Sequence, residues 1–187
     1  MERYNNAVDI SHFLLAAHVS GNDSIIDATL GNGNDTLFAA SLTSGIIYGF
    51  DIQETAIRKA GMLLKEHCVP SDRIRLIHES HEAMARFVTE PVSAVLFNLG
   101  YLPGGDKTVT TMAESTIAGL NASLSLLVPG GIVIVVVYPG HLEGAAEYEA
   151  VKGFAASLPQ RRYNVVHFSF PNQKGAPPEL FSIESRI

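Results

Sequence analysis

The segment from Ile132 to Tyr138 reads Ile-Val-Ile-Val-Val-Val-Tyr, an unbroken apolar and largely β-branched run. A strand with no polar residue on either face has to be covered on both faces. Parallel sheets flanked by helices provide that cover, whereas a sheet with one solvated face would show alternating polarity. The run therefore predicts a central strand of an α/β sheet.

Short apolar segments alternate with segments of helical periodicity along the rest of the chain. Strands are predicted at residues 24–28, 46–50, 74–77, 94–97, 132–138, 163–170 and 180–185. Apolar residues three and four positions apart indicate helices between them, as at Ile57, Ala60 and Leu64. The last two strands are joined by a loop rich in proline and glycine instead of a helix, which predicts an antiparallel hairpin.

This order predicts an α/β fold with a Rossmann-like, seven-stranded and mostly parallel sheet. Helices are expected on both faces, and the terminal hairpin is expected to be antiparallel. Pro129-Gly130-Gly131 is predicted to end a long helix before the strand at 132–138 begins. No internal repeat or shift of composition divides the chain, so residues 1–187 are expected to form one domain.

Composition restricts the classes of partner. Apolar residues make up 47% of the 187 positions, which is enough for a buried core. The net charge of −6 does not favour general phosphate binding, although a local basic patch can coexist with an acidic whole. Cys68 is the single cysteine and the histidines lack metal-ligand spacing, so no metal site is expected. No apolar run reaches membrane-spanning length, and a soluble cytoplasmic protein is expected; a homodimer stays open.

The first predicted strand ends in Asp27 and is followed by Gly31-Asn32-Gly33. Ligands of open α/β sheets bind at the carboxyl ends of the strands, where glycines allow close backbone approach. The amides that begin the next helix suit a polar or anionic group, and Asp27 can hold an amino group. An ordinary strand-to-helix turn is the alternative. The candidate cofactor contacts here are Asp27, Thr29, Gly31, Asn32, Gly33, Asn34, Asp35 and Thr36.

The second strand ends in Asp51, 24 residues after Asp27. A carboxylate at this place can accept hydrogen bonds from both hydroxyls of a ribose, which predicts a cofactor that contains a nucleoside. Ile52 is a candidate to cover the base, and Gln53 offers an amide. A dinucleotide dehydrogenase would use similar positions, but its G-x-G-x-x-G pattern fails because Thr36 takes the last glycine position.

Two weaker candidates follow the third predicted strand. Ser80 and His81 can reach the edge of the base. A helix N-cap and a surface histidine are the structural alternatives for these two residues. The sequence leaves both interpretations open.

The fourth predicted strand ends in Asn98, and Tyr101 follows three residues later. This N-x-x-Y spacing is that of the Asn-Pro-Pro-Tyr tetrapeptide of amino-group methyltransferases, in which the asparagine orients a nitrogen toward a sulfonium methyl group. Tyr101 can stack on a planar base. His141, after the fifth strand, can take a proton. The alternatives are a strand-ending asparagine, a core tyrosine and a surface-loop histidine.

These segments together resemble the class I methyltransferases labelled "putative rRNA methylases". The matching segments are Asp27-Ala28-Thr29, Gly31-Asn32-Gly33, Asp35-Thr36, Phe50-Asp51-Ile52-Gln53, Ser80-His81, residues 97–107, residues 138–144, Asn172-Gln173 and Pro177-Pro178. The resemblance covers nearly the whole chain, and residues 98–107 are its most specific part. It departs at Asn34, where the family more often has histidine, which leaves a side-chain role there open.

The resemblance implies S-adenosylmethionine as cofactor, with contacts at Asn32, Asn34 or Asp35, Asp51, Gln53, Ser80 and His81, and with Asn98 beside the reacting centre. The family includes the methyltransferase that acts on 5-aminomethyl-(2-thio)uridine at the tRNA wobble position. It therefore implies a primary amine acceptor and the tRNA anticodon region as partner. A methyltransferase of rRNA or of a small metabolite is the second hypothesis. A non-catalytic cofactor-binding and RNA-binding protein is the third.

Overall fold

The computed structural model describes residues 5–100, 111–140 and 142–187. The α-helices in these ranges are α1 (Ala7–His18), α2 (Asn34–Leu42), α3 (Glu54–Glu66), α4 (Ala113–Leu126) and α5 (Leu142–Ser157). The strands are β1 (Ile25–Asp27), β2 (Ile47–Asp51), β3 (Ile74–His78), β4 (Val92–Asn98), β5 (Leu127–Val137), β6 (Tyr163–Phe168) and β7 (Glu179–Ser185). Short 3-10 helices cover Ser71–Arg73 and His81–Arg86.

The strands form one sheet in the order β3-β2-β1-β4-β5-β7-β6. Strands β1 to β5 pair in parallel, whereas β7 pairs antiparallel with both β5 and β6. The predicted fold class is confirmed, including the antiparallel terminal hairpin. After β1 the chain moves outward to β2 and β3 and then returns to place β4 on the other side of β1. This reversal creates the crevice in which open α/β sheets bind ligands.

Alternate strand residues face two separate apolar cores, because side chains of a strand point to opposite faces of the sheet. Ile26, Val95 and Val133 belong to the core on the face that α4 and α5 cover. Ile25 and Ile134 belong to the core on the face that α1 and α2 cover. The unbroken apolar run in β5 is thus buried on both faces, as its sequence predicts.

One boundary differs from the sequence prediction. Helix α4 ends at Leu126, and β5 already begins at Leu127 instead of after Pro129-Gly130-Gly131. The β4–β5 pairing shifts its register between Val92 and Ala94, and such an irregularity admits a proline that cannot donate a ladder hydrogen bond. The connection between β3 and β4 contains only the 3-10 helix at His81–Arg86.

No helix within the described ranges has both the length and the apolarity to span a bilayer.

Candidate functional site

A cavity of about 730 Å³ opens at the carboxyl ends of β1, β2, β4 and β5. This volume is in the range of sites for small ligands and cofactors. Most of the candidate cofactor contacts line it. They are Thr29, Gly31, Asn32, Asn34, Asp35, Asp51, Ile52, Gln53, Ser80, His81 and Asn98. The sheet topology therefore gathers residues that lie far apart in the sequence around one space.

Three of the candidate contacts do not line this cavity: Asp27, Gly33 and Thr36. Asp27 is 1% exposed, and its Oδ2 accepts a hydrogen bond of 2.6 Å from the hydroxyl of Thr36. Its Oδ1 accepts a bond of 3.2 Å from the backbone amide of Thr29. Burial, together with the negative charge of Asp35, raises the pKa of Asp27 to about 7. Through these two hydrogen bonds, Asp27 holds the β1–α2 turn from the buried side, away from the cavity.

The raised pKa of Asp27 predicts a pH-dependent stability. Because the folded state binds the proton of Asp27 more tightly than the unfolded state does, the free energy of unfolding should fall as the pH rises from about 4 to 7. We expect a loss of at least about 1 kcal/mol from this residue between pH 5 and pH 8. Urea unfolding at both pH values measures it.

The matched variant for this prediction is Asp27→Asn, which keeps the shape and cannot ionise. The hydroxyl of Thr36 can accept from the new amide instead of donating. Since other groups titrate in the same range, the pH-dependent difference between wild type and variant isolates Asp27. Parallel pH profiles of the two proteins would contradict the prediction.

Gly33 serves the packing of α2 against α3. Its φ of +88° is in the left-handed region, and a Cβ built on it would lie 2.8 Å from the Cβ of Ala60. Replacement by alanine therefore adds backbone strain and a clash with a neighbouring helix. The close approach that the sequence predicted for this glycine is an approach to α3.

We expect Gly33→Ala to lower the free energy of unfolding by about 2 kcal/mol more than Gly21→Ala does. Gly21 also has a positive φ, of +55°, but a Cβ there meets no atom within 4 Å. The pair thus separates the packing clash from the backbone strain. Urea unfolding of both variants gives the comparison, and equal losses would show that the contact with Ala60 does not matter.

Asp51 connects the glycine turn after β1 with the segment after β2 at the cavity wall. Its Oδ2 accepts a hydrogen bond of 2.9 Å from the backbone amide of Gly31, and its Oδ1 accepts one of 2.8 Å from that of Gln53. Each carboxylate oxygen keeps a lone pair for a further donor. Ile52, beside it, is 55% exposed at the cavity wall. A carboxylate next to an exposed apolar side chain matches a ribose that carries a flat base.

The segment after β3 forms the adjacent wall. Ser80 caps the 3-10 helix at His81–Arg86, with its side chain accepting from the amide of Glu82. His81 is 8% exposed, and its Nδ1 lies 3.2 Å from the carbonyl oxygen of Ala28. Burial lowers the pKa of His81, so the neutral ring is favoured. The ring packs edge-on against Phe97 at 5.4 Å.

Asn98 is held from three sides at the end of β4. Its backbone amide donates to the hydroxyl of Thr29 at 2.7 Å. Its Nδ2 donates to Oδ2 of Asp35 at 3.2 Å, and its Oδ1 accepts from the hydroxyl of Tyr138 at 2.8 Å. All of these residues line the cavity. The sequence-predicted amide is therefore fixed in the cavity wall.

Two lining residues that hydrogen-bond to Asp35 or Asn98 were not singled out by sequence reasoning. Nε2 of His12 in α1 lies 2.7 Å from Oδ1 of Asp35, and the ring of His12 stacks on Phe38 with 4.0 Å between ring centroids. Tyr138 follows β5 and contacts Asn98. No motif marks His12, because only the packing of α1 beside α2 brings it to the site. Tyr138 is the last residue of a predicted strand, and its role as a hydrogen-bond donor to Asn98 depends on the pairing of β4 with β5.

Tyr101 and His141, two of the candidate reacting-centre residues, lie outside the described residues. Gly100 and Gly140, which precede these two residues in the sequence, line the cavity, as does Thr111. The hydroxyl of Thr111 accepts from the amide of Gly100 at 2.8 Å and donates to the buried Glu147 at 2.9 Å. Among the described residues, no group of three or more metal-binding side chains comes together.

Acidic side chains line part of the cavity. The charged side chains among its described lining residues include Asp35, Asp51 and Glu79, and no lysine or arginine is among them. Arg161 and Arg162 precede β6 at the opposite end of the sheet. A cavity with this charge favours cationic groups and disfavours a pyrophosphate.

Comparison with known proteins agrees with this geometry. The sequence profile of the family described as "Putative rRNA methylase" matches residues 47–184. A chloroplastic tRNA (mnm(5)s(2)U34)-methyltransferase of Arabidopsis thaliana is 35% identical, in a match that covers 94% of this chain and 68% of the relative.

Two solved structures share the whole architecture. A putative rRNA methylase from Clostridium thermocellum is 42% identical, with a TM-score of 0.94 over 97% of this chain and 98% of that chain. A putative methyltransferase from Streptococcus mutans, in complex with SAH, is 34% identical, with a TM-score of 0.89 over 97% of this chain and 98% of that chain. The similarity extends from the first described helix to the terminal hairpin.

Proposed function

Because the chain belongs to the rRNA methylase family of S-adenosylmethionine-dependent methyltransferases, we propose that it methylates the primary amine of 5-aminomethyl-(2-thio)uridine at the tRNA wobble position. The observation that carries the proposal is the Asn98 amide, which is fixed in the wall of an acidic cavity at the end of β4. The identity of 35% with a tRNA wobble-uridine methyltransferase supports the choice of acceptor.

The residues of the cavity fit S-adenosylmethionine. Asp51 offers carboxylate oxygens to the ribose hydroxyls, and Ile52 offers an apolar surface to the adenine. Gln53, Ser80 and His81 line the part of the cavity where the base would lie, and Gly31, Asn32, Asn34 and Asp35 are proposed to hold the amino-acid end. The acidic wall also suits a sulfonium cation. When bound, the cofactor supplies an electrophilic methyl carbon on that sulfonium.

The negative charge of the cavity wall also supports an amine as the acceptor of the methyl group. An alkylamine is mostly protonated at neutral pH, so it enters as a cation that the carboxylate of Asp35 attracts. It has to lose a proton before its lone pair can attack. Water, Asn98 with backbone carbonyls, and His141 are the candidates to assist this proton loss, the amide and carbonyls by accepting hydrogen bonds. Transfer would form a C–N bond and break the C–S bond, and the secondary amine product would stay protonated at neutral pH, so one proton in all is released to solvent.

The role proposed for Asn98 is orientation of the nucleophile. One lone pair of Oδ1 accepts from Tyr138, which leaves a second lone pair for an N–H group of the substrate. An amine bound in this way keeps its own lone pair free to point at the methyl carbon. Orientation of two bound reactants can supply roughly 7–11 kcal/mol of a barrier, so the chemistry does not require a strong base.

Methyl transfer from labelled S-adenosylmethionine tests the proposal directly. The acceptors are tRNA with 5-aminomethyluridine at the wobble position, the same tRNA without the modification, and rRNA. Label in the modified tRNA alone is expected. Label in rRNA would instead support rRNA as the acceptor. Cofactor binding without transfer to any acceptor would support a non-catalytic protein.

A further inference from the structure

Four side chains from separate parts of the fold form one row of hydrogen bonds along the cavity wall. His12 of α1 contacts Asp35 of α2 at 2.7 Å, Asp35 accepts from Asn98 of β4 at 3.2 Å, and Asn98 accepts from Tyr138 at 2.8 Å. The four residues line the same cavity. Asn98 therefore sits between a carboxylate and a phenol.

These two neighbours determine which way the amide of Asn98 points. An amide side chain can usually be turned over without a visible change of shape. Here the carboxylate of Asp35 only accepts hydrogen bonds, so the NH₂ group has to face it. The oxygen consequently faces Tyr138, whose hydroxyl donates to it.

The remaining hydrogen-bonding capacity follows from this orientation. Oδ1 keeps one lone pair and Nδ2 keeps one N–H group. If the amide were turned over, Nδ2 would take the place of the oxygen and would present donors to the substrate amine. A donor there would compete for the nitrogen lone pair that has to attack the methyl group.

Each neighbour of Asn98 is itself held in place. The ring of His12 contacts Asp35 and stacks on Phe38 with an interplanar angle of 11°. Tyr138 follows the fully buried end of β5, and burial with the charge of Asp35 raises its pKa, which keeps the phenol a donor. The row of hydrogen-bonded side chains is thus held by the stacked ring of His12 at one end and by strand β5 at the other.

We propose that Tyr138 and Asp35 are positioning residues that fix the amide of Asn98 with its oxygen available to the acceptor amine. The inference rests on the proposed function, in which Asn98 orients that amine. It assigns to Tyr138 an effect on the reaction that passes through Asn98 alone, whereas Asp35 also carries the charge proposed to attract the amine.

A double-mutant cycle tests whether Tyr138 acts through Asn98. Tyr138→Phe removes one hydroxyl and should lower the single-turnover rate about tenfold, which corresponds to the loss of one hydrogen bond. In an Asn98→Ala background the same change should have no further effect. Tyr48→Phe is the matched control, because the hydroxyl of buried Tyr48 contacts Glu90 outside the cavity. Additive losses, or equal rates for Tyr138→Phe and Tyr48→Phe, would overturn the inference.

A second readout needs no substrate. In protein labelled with ¹⁵N at asparagine, the Asn98 side-chain signal is the one that Asn98→Ala removes. Tyr138→Phe should shift this signal and speed the exchange of its protons, whereas Tyr48→Phe should leave it unchanged. If wild type methylates no RNA but the signal responds in this way, the orientation stands and the proposed acceptor fails. An unchanged signal in Tyr138→Phe refutes the orientation, whatever the acceptor.

Discussion

In Asn98→Ala, the single-turnover rate of methyl transfer is expected to fall about 100-fold or more, with the dissociation constant of S-adenosylmethionine changed only a few-fold. The side chain makes hydrogen bonds to Asp35 and Tyr138 in the cavity wall, so its loss removes the group proposed to orient the amine. Misplacement of a reacting group by about 1 Å can cost 100-fold in rate. Quenched-flow transfer assays and calorimetric titration of the cofactor separate the two quantities.

The matched control for this prediction is Asn121→Ala. Asn121 is exposed on α4, and its amide only contacts the carbonyl of Ile117 one turn earlier. This variant should keep the wild-type rate. An Asn98→Ala protein that lost rate and cofactor affinity to the same degree would indicate a role in cofactor binding instead of orientation.

The second large effect is expected for Asp51→Ala, which should weaken binding of S-adenosylmethionine about 10- to 100-fold. The variant loses the carboxylate proposed to hold the ribose, and hydrogen bonds to a charged group contribute about 1.5–3 kcal/mol. It also loses the contacts to the amides of Gly31 and Gln53, which shape the turn beside the cavity. Calorimetric titration with the cofactor measures the change.

Asp72→Ala controls for the removal of one negative charge. Asp72 is exposed in the 3-10 helix before β3 and does not line the cavity. At saturating cofactor, Asp51→Ala should recover much of its transfer rate, because its proposed role is binding. A large rate defect that persists at saturation would assign Asp51 to the chemical step.

The fold was largely predictable from local sequence. Apolar runs such as the one in β5 require cover on both faces, and the helical spacing between runs implies parallel crossovers. The boundary at Pro129 was not predictable, because a register shift against β4 lets β5 include it. The site followed from the same logic, since polar residues at strand ends such as Asp51 and Asn98 have to meet at one edge of the sheet.

Sequence by itself determined the α/β class, the edge of the sheet proposed to bind the cofactor and the amide at the end of β4, because each depends on residues close together in the chain. The tertiary structure alone decided that Asp27 is buried behind the turn and that Gly33 meets Ala60. It also decided that His12 and Tyr138 join the site, across sequence separations of 23 residues to Asp35 and 40 residues to Asn98. Such contacts arise from the packing of separate elements, and periodicity within one element carries no information about them.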